Sequence, residues 1–363
     1  MRILVRASQL RWKWMCTLIA TIALASVPSL AVCPSGSDCD PNAGTYLLRT
    51  DCTGLANCFD SMSALVGSWT YGIPQLPVPI PLPTNCTPST CFIGWLWTDR
   101  QPSAIDVVTI DVGPGTFGPF ICPSSQDRRG HVVLRGAGRD ETVLQSSGTG
   151  VDTAGVSVYD CDELVISNLR VVGQNYGVRW ANSGSATWVS ADFVAIGGTS
   201  LAAIFGWQDN RVLNAPGDNG EKSTHILHDC RSSAAGTGTS SSGKGHIGYQ
   251  ASWSETYFFG GVIEGGPAKY PRTGWPTAGL VVENGSEFSA FGTRIAAIAD
   301  KVEPDGSTVY GVRATSGTEG SKVLLEGSSV FVRTKTGNQA VATSAADGSI
   351  IRSISTSEDA KTF

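Results

Sequence analysis

Charge is scarce in this chain: 16% of its 363 residues are Asp, Glu, Lys or Arg, and the formal balance is −5. No basic run offsets that acidic balance, which argues against nucleic acid as a partner. Aromatic residues reach only 8% and methionines number three. After the N-terminal leader no apolar stretch is long enough to span a bilayer, so no transmembrane segment is expected in the mature chain. No CxxC spacing supports a zinc site, and no G-x-S-x-G elbow supports a hydrolase of that kind.

Glycine, by contrast, is abundant. Its 43 residues stand well above a usual share of about 7%, and no collagen triplet accompanies them. The excess points to many turns and closely stacked backbone, and it argues against helical bundles. Hydrophobic residues, at 41%, suffice for a sizeable core.

Arg2, Arg6, Arg11 and Lys13 precede an apolar run from Met15 to about Ala25, and Ser29-Leu30-Ala31 follows. Residues 1–31 therefore read as a secretory signal peptide, and the chain as secreted, extracellular or periplasmic. Lipid anchorage at Cys33 is a secondary reading, because Val32 stands where a lipidation box needs a small residue. In an oxidising compartment Cys33/Cys39, Cys52/Cys58 and Cys86/Cys91 read as short disulfide staples, although six cysteines allow other pairings. Cys122, Cys161 and Cys230 leave an odd total.

Residues 32–104 form a Cys/Pro-rich cap region, with prolines alternating from Pro77 to Pro83. Such a run favours polyproline II and cannot enter a central sheet. Residues 105–350 then carry an imperfect repeat, with copies opening at Gly155, Gly177, Gly279 and Gly311 and weaker ones near Ala203, His246 and Ala340. Each copy is a short strand, a polar turn and two further strands. Repetition at about 22 to 43 residues suits a solenoid with variable loops. Alternation predicts Val156, Val158, Val178, Trp180, Leu280 and Val282 inside, with Ser157, Arg179, Val281 and Arg313 outside. Asp160, Asn182, Gln208, Asn284 and Ser316 would form one polar column, and residues 351–363 a C-terminal tail.

The segment Cys58 to Leu65 resembles the short helix that caps pectin-lyase-like right-handed parallel β-helices. Val108 to Phe117 resembles their first strand and its GPGTY-like turn, and His131 to Gln145 the coil that follows. The resemblance covers about residues 55–350. It implies an all-β fold, a single-stranded right-handed parallel β-helix with a short N-terminal capping helix and a disulfide-stapled N-terminal region. It brings no complete catalytic set: Asp192-Phe193-Val194 lacks the rest of the pectin methylesterase pattern, and Gly245-His246-Ile247 and Arg333-Thr334-Lys335 are isolated fragments of a polygalacturonase one.

Spacing along the repeat places Arg170, Arg231 and Arg294 at comparable outward positions of the third strand, with Asp192 and Asp229 close to the same column. Coils stack about 4.8 Å apart, so these side chains would line a track along the solenoid. Arginines there would bind a polyanionic sugar, and Asp192, Asp229 or Arg231 would be the catalytic candidates. Trp207, Trp253 and Trp275, with Tyr249, Tyr257 and Tyr270, read as loop aromatics for sugar stacking, whereas Trp180 and Trp188 read as core. His225 and His228, three apart on a strand, point to opposite faces. The expectation is a secreted protein that binds extracellular or cell-surface polysaccharide. The alternatives are a lyase or related carbohydrate-active enzyme on a uronate polymer, with which calcium enters, and an adhesin or surface-spacer solenoid.

Overall fold

A computed structural model describes residues 45–55, 58–62, 65, 107–122, 130–146, 153–158, 161–181, 184–197, 204–209, 222–234, 246–268, 277–299, 308–315, 320–335 and 337–362. Within them the chain is a parallel β-helix. Apart from Cys58–Phe59, which flanks Thr45–Leu48 at the end of the first sheet, each strand pairs in parallel with the strand at the same place in a neighbouring coil, which builds three sheets of eleven, nine and eight strands among the described residues. One coil runs through Ser185–Val189 in the first sheet, Asp192–Ala195 in the second and Ile204–Asp209 in the third. Coil length varies with the loops: the register advances 22 residues from Glu163 to Ser185 and 39 from Ser185 to Thr224.

Inward side chains form one continuous core along the axis. Val156, Val158, Val178, Trp180, Leu280 and Val282 are all buried in it, as alternation predicts. Aromatic rings in successive coils stack, Trp180 on Trp207 at 6.0 Å and Trp207 on Tyr249 at 5.3 Å. Trp188 and Phe193 meet Trp207 edge-on. Each such contact adds about 0.5–1.5 kcal/mol beyond burial.

The glycine repeat has a steric cause. Gly155, Gly177, Gly206, Gly248, Gly279 and Gly311 form one column of the third sheet, and a Cβ on any of them would meet the second sheet at under 3.0 Å. Glycine is required because two sheets approach backbone to backbone there. The column includes Gly206 and Gly248, which lie inside the weaker copies.

Several expectations need correction. Ile350–Ile354 and Ser357–Thr362 pair with Lys322–Glu326 and Ser329–Thr334, so a further coil stands where residues 351–363 are expected as a tail. Gln208 pairs with Arg179 and Gln250, whereas Asn284 lies beyond Glu283, so the two do not share a polar column. Ser157 and Val281 are buried despite their outward parity. Of the segment expected as a capping helix, Cys58–Phe59 is instead a short strand paired with Leu47 and Leu48, Met62 and Leu65 are helical and buried, and residues 63 and 64 lie outside the described residues. Cys52 and Cys58 form a disulfide, and Cys122 is also disulfide-bonded. Cys33, Cys39, Cys86 and Cys91 lie outside the described residues. Among those residues no helix is long and apolar enough to cross a membrane.

Candidate functional site

The corner between the first and second sheets is the most regular part of the coil. Most coils turn it in two residues, the first of them left-handed: Asn168, Ser190, Asp229, Gly260, Gly292, Gly327 and Ser355 all have φ between 49° and 66°. Asn, Asp and Gly tolerate that conformation best. The second turn residue points into the core, as Leu169, Ala191, Cys230, Thr293 and Ser328 do. With the turn so fixed, the flanking side chains emerge in rows along the axis.

On the second-sheet side the register places Arg170, Asp192, Arg231, Val262, Arg294 and Ser329 in one row. The predicted arginine positions thus share a column, with Asp192 inside it and Asp229 at the turn beside it. The charges are interlocked. Arg170 lies 2.8 Å from Asp140 and 3.5 Å from Asp192, and Arg231 lies 3.0 Å from Glu264. Arg139, on the longer turn before Thr142–Gln145, crosses the corners of Asn168 and Ser190 to pair with the Asp229 carboxylate and donates to its carbonyl at 2.7 Å. It also lies 3.6 Å from Asp192. Arg294 is exposed and has no ion-pair partner among the described residues.

On the first-sheet side a row not anticipated from the sequence runs Val189, His228, Phe259, Phe291. The His228 and Phe259 rings stack at 4.7 Å, and Phe259 and Phe291 at 5.0 Å, within 11° of parallel. All three rings are part-exposed, with faces on one another and edges outward. The signal that would have revealed them is the corner tetrapeptide: His228-Asp229-Cys230-Arg231, Phe259-Gly260-Gly261-Val262 and Phe291-Gly292-Thr293-Arg294 align on their turn residue. Burial lowers the pKa of His228, so its ring is neutral at neutral pH. Beneath it the Cys230 thiol is pushed up to about 12 by burial and donates to the His228 carbonyl at 3.3 Å, an inert structural thiol.

The aromatic candidates separate. Trp207 and Tyr249 are fully buried core residues, not loop platforms, so neither ring can face a sugar. Trp253 occupies a left-handed turn between the third and first sheets, half-buried and away from the row at the corner. Tyr257 is part-exposed on the outer face of the first sheet, and Trp275 and Tyr270 lie outside the described residues.

A second constellation is sealed inside. His225 Nε2 lies 3.5 Å from Asp209 Oδ1 and 2.9 Å from Ser223 Oγ. Ser254 Oγ donates to Asp209 at 2.7 Å and Trp207 Nε1 at 3.1 Å. Serine, histidine and aspartate suggest a catalytic triad by composition, but both titrating side chains are enclosed in the core. Burial raises Asp209 to about 7 and lowers His225 to about 3. The two are therefore a neutral pair and not an ion pair.

Among the described residues no group of three or more His, Cys, Asp or Glu is placed to hold a metal ion. The chain matches no protein-family model, no curated protein and no solved structure.

Proposed function

We propose that this is an exported β-helix protein that binds extracellular or cell-surface polysaccharide along the corner between its first and second sheets. The observation that carries the reading is the pairing of two axial rows across a two-residue turn: stacked His228, Phe259 and Phe291 on one side, and Arg170, Asp192, Arg231 and Arg294 on the other. Each row offers one side chain per coil. An extended polymer can meet such a surface unit by unit, with apolar contact on one flank and hydrogen bonds on the other. The resemblance of the opening coils to pectin-lyase-like proteins supports the same class of ligand. Cleavage is not part of the proposal, because the corner carboxylates Asp140, Asp192, Asp229 and Glu264 are each engaged by an arginine.

Retention of the purified protein on a panel of immobilised polysaccharides tests this. Phe259→Ala and Phe291→Ala should each weaken retention about fivefold to tenfold, in keeping with roughly 1 kcal/mol for an aromatic contact. Binding unaffected by both substitutions would place the ligand elsewhere on the solenoid.

A further inference from the structure

The ionic half of the corner indicates which kind of polysaccharide it takes, an inference that rests on the glycan-binding reading above. A row of arginines by itself suits a polyanion. Here that charge, Arg294 apart, is engaged internally. Arg170 meets Asp140 and Asp192, Arg139 meets Asp192 and Asp229, and Arg231 meets Glu264.

The acids are also the more solvent-facing members of two of these pairs. The Asp140 side chain is 89% exposed against 38% for Arg170, and Asp229 is 68% exposed against 30% for Arg139. The reverse holds for Arg231, at 50% against 22% for Glu264, and for Asp192, which at 9% is less exposed than both Arg139 and Arg170. A uronate chain laid along this row would press its carboxylates on Asp140 and Asp229, and it would have to break existing pairs to reach Arg139 or Arg170. Across the turn, the edges of Phe259 and Phe291 desolvate a carboxylate without giving it a hydrogen-bond donor.

We propose that the ligand is an uncharged polysaccharide, whose hydroxyls donate to Asp140 and Asp229 and whose C–H surfaces lie over the edges of Phe259 and Phe291. Neutral hydroxyls add no charge to the row and leave its ion pairs in place.

The test compares neutral polymers (glucan, mannan, xylan, galactan) with polyuronates (polygalacturonate, alginate) at about 0.1 M and about 1 M salt, between which the screening length falls from about 10 Å to about 3 Å. The expected result is retention on a neutral polymer, with affinity changing less than about twofold across that range, and none on the polyuronates. Retention on a polyuronate alone, lost at high salt, overturns the neutral class and leaves glycan binding standing. Retention on neither class overturns both. The double variant Asp140→Asn/Asp229→Asn, its fold checked by circular dichroism, should bind the neutral polymer about tenfold more weakly because two charged acceptors are gone. Unchanged binding by that variant overturns the role given to the carboxylates.

Discussion

Asp209 ends a strand in a column whose preceding coils supply Val158 and Trp180, and a carboxyl group there must face the imidazole of His225. Burial and the charge of Glu283 push Asp209 up to about 7, against the bonds from Ser254, Trp207 and the Ser252 amide, while burial alone lowers His225 to about 3. In the unfolded chain the ordinary values are about 3.9 and about 6.5. Between these values the unfolded chain carries the shared proton on His225 and the folded chain carries it on Asp209. The proton count is equal, so the pair contributes no slope to stability across that window. Asp209→Asn removes the balancing proton. The variant's stability should then rise with pH between about 3 and about 6.5, at up to about 1.4 kcal/mol per unit. Urea melts at about pH 4.5 and about pH 6 would measure this. A slope as flat as the parent's would show that no proton moves within the pair.

Two kinds of glycine in the same coils separate the demands of an element from those of a turn. A Cβ on Gly248 would meet the Gly279 carbonyl at 2.7 Å and the Glu264 backbone at 2.8 Å, whereas Gly260, at φ +66°, has nothing within 4 Å. Gly248→Ala should therefore cost about 2 kcal/mol or more. Gly260→Asn should stay within about 1 kcal/mol, because Asn168 already occupies the equivalent turn. Thermal melts of the two variants distinguish them, and equal losses would refute the close-approach explanation. The strand pattern was legible in the sequence wherever inward residues alternate with polar ones, as at Val156/Val158 and Val178/Trp180. It failed at Trp207 and Tyr249 because long connections flank their strands, after Asp209 and before His246, and make a core aromatic read as part of a loop. Within the candidate site the arginine column was legible from spacing alone. The His228, Phe259 and Phe291 row was not, because exposed aromatics beside a turn look unremarkable until the register brings them face to face. The pairing of Arg139 with Asp229 was hidden too, since nothing in spacing shows a side chain crossing two coils.

At the scale of the molecule, each coil bonds only to its neighbours, and its stability is close to a sum of coil and interface contributions. The parallel ladders of all three sheets run along the solenoid axis, and that direction has a mechanical consequence. Tension applied to the two ends crosses every coil interface, but it concentrates on the few bonds where the chain leaves the outermost coil and is shared among three ladders further in. Under an optical trap the solenoid should yield by peeling, in a staircase and not in one rupture. Coils of 22 to 39 residues set the tread, each releasing roughly 70 to 140 Å of slack chain. A single large rip would mean that the coils share load as a block. A staircase would make the molecule a compliant tether, able to lengthen under drag while the remaining coils hold their shape.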